Sequence, residues 1–131
     1  MKESKAILCL LAIILFFGVI NSAFAAEVIT ETEKSLAIET IKGYQGVIDA
    51  AISQNGKEVN LAIIVSDRTS EAYAKQLGEN FLRLVKTYSK DSPPKKEIGK
   101  GIFHYLVGIY TPSKKLIVMG AKDGNATRIS W

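Results

Sequence analysis

Two turn signals in residues 102–131 constrain this chain more than any other feature. Thr111–Lys114 and Asp123-Gly124 separate three apolar, strand-like runs, Ile102–Thr111, Lys115–Lys122 and Asn125–Trp131. A four-residue first loop pairs Ile109 with Leu116, Val107 with Val118 and Tyr105 with Gly120. A two-residue Asp-Gly loop pairs Val118 with Ile129 and Leu116 with Trp131. Both turns place Phe103, Tyr105, Val107, Ile109, Leu116, Val118, Ile129 and Trp131 on one face. A one-residue slip in either would scatter that set. A three-stranded antiparallel meander is expected, and its apolar face needs a covering helix.

Local rules supply the other elements. Thr30-Glu31-Thr32-Glu33 is a capping box, Leu36, Ala37, Ile38 and Ile41 form a short apolar stripe, and Gly43 fits a stop, so a helix is expected at 31–42. Asp67–Ser70 is a polar break. After it, Ala74, Leu77, Phe81, Leu84, Val85 and Tyr88 recur at helical spacing, with Glu71–Lys75 and Glu79–Arg83 on the wet side. Ser92-Pro93-Pro94 ends that helix, because proline lacks an amide hydrogen and restrains its predecessor. Between the helices, Val47, Ile48, Ala51 and Ile52 fit either a continued first helix or a strand. Asn55-Gly56 favours a hairpin. As the turn, it pairs Ile52 with Val59, Ala50 with Leu61 and Ile48 with Ile63 on one apolar face. Strands are expected at 46–54 and 57–66.

The resulting order is helix, strand, strand, helix, strand, strand, strand: an α+β domain with a five-stranded antiparallel sheet. By element order over residues 31–131 it resembles the broad group of profilin-like, roadblock-like and PAS/Cache-like domains; no residue motif carries the likeness. That resemblance implies that the second hairpin strand lies at one sheet edge and the first meander strand at the other. It implies nothing about function.

Residues 1–25 read as a separate unit. Lys2 and Lys5 precede an unbroken apolar and glycine run, Ala6–Ile20, and then Asn21-Ser22-Ala23-Phe24-Ala25. This is the pattern of a secretory signal peptide cut after Ala25, leaving one domain at 26–131. The alternative is an uncleaved anchor, but a 15-residue helix spans about 22 Å against a hydrocarbon core of roughly 30 Å. Cys9, the single cysteine, falls inside this run, so 26–131 has no disulfide, thiolate metal site or cysteine nucleophile.

Few residues carry chemistry. His104 is the single histidine, and a zinc site usually needs three or four nitrogen or sulfur ligands, so neither metal nor cofactor is expected. The phosphate-loop and G-x-S-x-G patterns are absent. His104 falls on the second face of the meander with Ile102, Leu106 and Tyr110, opposite Ala121, and Leu106 falls opposite Met119 with Arg128 beyond. Ile117 joins this face. Such a surface is too apolar to stay freely wet. The first helix is expected to cover it through Leu36, Ile38 and Ile41; a homodimer, a partner protein or a small ligand are the alternatives.

Charge is unevenly spread. Residues 26–56 sum to −3 and residues 57–131 to +6. Within 86–115, Lys86, Lys90, Lys95, Lys96, Lys100, Lys114 and Lys115 face Asp91 and Glu97. A solvated loop is the plain reading. Lys90, Lys95, Lys96 and Lys100 also form a candidate anion-binding loop for an acidic envelope polymer. Nucleic acid is not expected, because arginine is scarce and no aromatic residue interrupts 89–101. The sequence points to an exported, periplasmic or extracellular, non-enzymatic domain. It would bind a ligand or partner through Ile102, His104, Leu106, Tyr110, Ile117, Met119 and Arg128, or through the lysine loop. Two alternatives stay open: a self-assembling module of the cell envelope, and an acid/base enzyme around His104, Tyr105 or Tyr110 and Arg128.

Overall fold

The computed structural model describes residues 28–131; the expected signal peptide at 1–25 and its expected cleavage site lie outside the described residues. Helix α1 spans Glu31–Lys42. Its capping box is complete: the Glu33 amide donates to Thr30 Oγ1 at 3.1 Å and the Thr30 amide to Glu33 Oε1 at 2.9 Å. Strands β1 (Val47–Asn55) and β2 (Glu58–Val65) form the hairpin. Helix α2 (Glu71–Tyr88) starts at Ser70, whose hydroxyl accepts from the Tyr73 amide, and strands β3 (His104–Tyr110) and β4 (Leu116–Lys122) follow.

The fold is α+β, with two helices and a four-stranded mixed sheet among the described residues, in the order β1-β2-β3-β4. Strands β2 and β3 run parallel in the centre, joined through α2, and the outer pairs are antiparallel. This corrects the expectation that β2 and β3 occupy opposite edges of an all-antiparallel sheet. The cause lies in β2, where Leu61-Ala62-Ile63-Ile64-Val65 is buried throughout. A strand apolar on both faces is stable in the interior of this sheet, with helices over one face and Ile48 and Tyr110 packed against Ala62 and Ile64 on the other, and a helical crossover brings in its parallel neighbour.

The expected fifth strand is also corrected. Residues 125–131 contribute an isolated bridge, Ser130 to Ala121, in place of a strand. The backbone after Asp123 forms its hydrogen bonds elsewhere. The Gly124 amide donates to His104 Nδ1, Gly124 O accepts from the Gly101 amide, and Thr127 O accepts from the Gly99 amide. These groups tie the tail to the 99–101 loop and are lost to a β4 ladder.

Both hairpin registers are displaced by two from expectation. Ile52 pairs with Leu61 and Ala50 with Ile63, since Gly56-Lys57 forms the turn and Asn55 still pairs with Glu58. Val107 pairs with Gly120 and Ile109 with Val118. A displacement of two preserves the faces, because side chains alternate with period two. Local bulges do change them. Tyr110 pairs with Leu116, which leaves Ile117 as an extra residue packed with Val118 against the main core. Ile48 is displaced in the same way and packs with Ala51, Ala62 and Ile64 on the second face.

Both helices lie on one side of the sheet. Helix α2 crosses β2, β3 and β4, and α1 packs on α2 and β1. Ile41, Leu77, Phe81, Leu82, Leu61 and Ile109 are buried in the layer between. The first helix therefore does not close the second sheet face: Ile41 joins the main core, and Leu36 is exposed.

Candidate functional site

The second face divides into a self-covered half and an open half. Across β1 and β2 it carries Ile48, Ala51, Ala62 and Ile64, and Tyr110 lies down over β3. A β-carbon on Gly108 would meet the Tyr110 ring at 2.8 Å, so glycine there lets the ring lie flat on the backbone. The ring packs with Ala51, Ala62 and Ile64, and burial raises the Tyr110 hydroxyl above the usual tyrosine range. Across β3 and β4 the face is open. Leu106 is 43% exposed, Met119 40% and Leu116 46%, while Ile102, just ahead of β3, is 40% exposed.

His104 stands at the lower corner of this open half. Register places Glu58 of β2 beside it, and Asp123 follows the end of β4 on its other flank. Its Nδ1 accepts the Gly124 amide at 2.9 Å and lies against Asp123 Oδ1. A neutral ring accepting from Gly124 at Nδ1 carries its proton on Nε2. An imidazolium would instead direct an Nδ1–H at the Asp123 carboxylate. A shallow concavity of about 250 Å³ opens here, lined by Glu58, Asn60, His104, Leu106, Ala121 and Asp123 among others. No group of three or more metal-ligating side chains occurs among the described residues.

The structure thus brings His104, Leu106 and Met119 to one face, with Tyr110 on it, while Ile102 lies exposed in the bend ahead of β3. It separates two of the expected site residues. Ile117 packs on the helix-covered side. Arg128 lies across the molecule, paired with Glu97 at 3.4 Å, because the tail does not continue as a strand beyond Met119. The acid/base arrangement of His104 with Tyr105 or Tyr110 and Arg128 is not assembled: the Tyr105 hydroxyl donates to buried Asp91, and Arg128 is paired with Glu97. Lys90, Lys95, Lys96 and Lys100 are exposed, on a loop pinned by Arg83, which donates to the carbonyls of Lys95 and Lys96 at 3.0 Å each.

Behind the sheet at the same end is a buried polar knot that sequence reasoning misplaced. Lys86 and Asp91 are not part of the solvated loop; both are fully buried, with Tyr105 and Lys122. Asp91 accepts from the Ile102 amide at 2.6 Å and from the Tyr105 hydroxyl at 2.8 Å, and stands 3.7 Å from the Lys86 ammonium. Lys86 also donates to Lys100 O at 3.1 Å, and Lys122 to Asp123 O at 3.1 Å. Burial lowers Lys86 below the usual lysine range against the opposing pull of Asp91. It lowers Lys122 likewise, with help from the Lys86 charge. Burial, and then the Asp91 carboxylate, raise Tyr105 far above the usual tyrosine range. A signal was present: Lys86 falls one residue after Val85, on the apolar side of α2.

The knot and the His104 corner share a backbone. Asp123 offers its carboxylate to His104 on the open face and its carbonyl to Lys122 on the covered face. No family model, curated protein or solved structure matches the chain, so its class rests on this fold and this corner.

Proposed function

We propose that the protein is an exported, non-enzymatic binding domain, freed from a signal peptide at residues 1–25, that engages a ligand or partner protein through the open half of its second sheet face. The observation that carries this reading is the exposure of Leu106, Leu116 and Met119 on a face that neither helix covers, with Ile102 also exposed just ahead of β3. Exposed apolar groups set around a few polar ones are the usual makings of a recognition surface. The His104 corner supplies those polar groups, and the lysine loop offers a second surface for acidic polymers of the envelope. Among the described residues no helix is long and apolar enough to cross a membrane. Hydrogen exchange with and without envelope extract tests the reading. Extract-dependent protection of β3 and β4, lost in Leu106→Glu, is the expected result. Unchanged exchange on both the open face and the loop rejects it.

A second reading is favoured by the contact between His104 and Asp123. A histidine oriented by a carboxylate in a concavity is equipped to move a proton. On this reading Asp123 takes the supporting role expected of Tyr110 and Arg128. His104→Ala separates the two: an activity that survives it is not centred on this corner.

A further inference from the structure

On the other side of the molecule, α2, the 89–103 loop and the C-terminal tail enclose a recess of about 490 Å³. Its apolar wall is Ile98, Ile129 and Trp131; Arg83, Lys96 and Arg128 bring positive charge, and Glu79 and Glu97 bring negative charge. We propose that this recess binds an acidic sugar polymer, a glycan bearing carboxylate or sulfate groups. The proposal rests on the lysine loop as a binding surface and adds the ligand class and a recognition element.

Trp131 is that element. Its indole is seated on backbone at two places, over Gly78 of α2 and Gly120 of β4, where a β-carbon would come within 2.6 Å of the ring in each case. Yet the residue is 39% exposed and lines the recess. An aromatic ring held by this packing and still partly exposed at the recess is pre-organised to contact the apolar C–H face of a sugar ring. The charged groups fit the rest of such a ligand. Arg83 is held by Glu79 and by the loop carbonyls, so it fixes the loop that presents Lys96. The Arg128 side chain is 79% exposed and its pairing with Glu97 is a solvent-screened surface contact, free to exchange for a ligand anion. Lys90, Lys95 and Lys100 extend the positive field along the loop. Glu79 and Glu97, which line the recess beside Arg83 and Arg128, are placed to accept sugar hydroxyls.

Trp131 is the single tryptophan of the chain, so its emission reports on the recess directly. Polygalacturonate and heparin, carrying carboxylate and sulfate respectively, are the probes; neutral dextran and inorganic polyphosphate are the comparisons. At least one acidic glycan should change Trp131 emission saturably, with affinity falling as salt rises. Lys96→Glu and Arg128→Ala, at exposed positions, should each weaken binding about fivefold to tenfold. Trp131→Leu, followed by affinity electrophoresis, should weaken it about tenfold. Leu106→Glu, on the open face, should leave it unchanged. The proposal is overturned if neither glycan gives a saturable change, if polyphosphate binds more tightly than both, or if binding ignores Lys96→Glu and Arg128→Ala. Glycan binding lost in Leu106→Glu and kept in Arg128→Ala also overturns it, while leaving the open-face reading intact.

Discussion

Trp131 occupies the space that a side chain on Gly78 would fill: a β-carbon there would approach the indole Cη2 to 2.6 Å and Val107 Cγ1 to 3.0 Å. A glycine in the middle of a helix gives up helix propensity of about 1 kcal/mol relative to alanine. Here it admits the only tryptophan against α2. Gly78→Ala should therefore destabilise the protein by up to about 2 kcal/mol net, an overpacking cost of about 1–3 kcal/mol offset in part by the propensity gain. Urea unfolding measures the loss, and native Trp131 emission should shift red as the ring is displaced. A more stable Gly78→Ala protein would refute the seat.

Asp91 organises the buried knot. Asp91→Ala removes the acceptor of the Ile102 amide and the Tyr105 hydroxyl and leaves the Lys86 ammonium buried without its counter-charge. The expected loss is about 3–5 kcal/mol. Adding Lys86→Met to Asp91→Asn should recover part of it, because two neutral groups of similar shape replace one stranded charge. A double variant no more stable than Asp91→Asn alone would show that the carboxylate acts on the loop and not on Lys86.

The pH dependence follows from the signs. Lys86 and Lys122 are lowered from their ordinary value of 10.5, so from their lowered folded values up to 10.5 the unfolded chain holds more protons than the folded one. Their burial costs stability at neutral pH, and the cost fades as pH rises toward 10.5. Tyr105 and Tyr110 are raised, so their contribution is present below pH 10 and is lost above it as the unfolded chain ionises. Lys122→Met should exceed the native protein in stability most at pH 7, with the gap narrowing toward pH 10. Urea midpoints across that range give the comparison; a constant gap would mean that Lys122 is not burdened by its charge.

The open face should tolerate charge. Leu106→Glu and Met119→Lys are expected to change stability by no more than about 0.5 kcal/mol, as for surface positions with no buried partner. Thermal unfolding checks this. A loss above about 2 kcal/mol in either variant would show that the face is packed against something in the folded protein.

How far the sequence carried the reading depends on the range of the rule. Thr30 with Glu33, and the stripe from Ala74 to Tyr88, placed both helices, because capping and periodicity act within a few residues. The alternation around Val107 and Ile109 assigned their face correctly even though the register was displaced. His104, Leu106 and Met119 were recognised on one surface for the same reason. Arg128 was misplaced because its position hung on a fifth strand, and the Asp-Gly signal that suggested this strand lost its backbone groups to Gly99, Gly101 and His104. Lys86 was misread because composition counts a lysine as solvated wherever it falls.

The sequence by itself determined the helices, four of the five expected strand segments, the apolar side of each away from the bulges at Ile48 and Leu116–Ile117, and the contrast between an acidic start and a basic remainder. Tertiary structure decided that β2 and β3 lie side by side in parallel, that both helices share one face, and that Lys86, Asp91 and Lys122 lie in the interior while Lys96 and Arg128 stay at the surface. The physical reason is range. Caps, turns and periodicity are settled by neighbours in the chain, whereas strand order and the desolvation of a charge are settled by groups that meet only when the whole chain has folded.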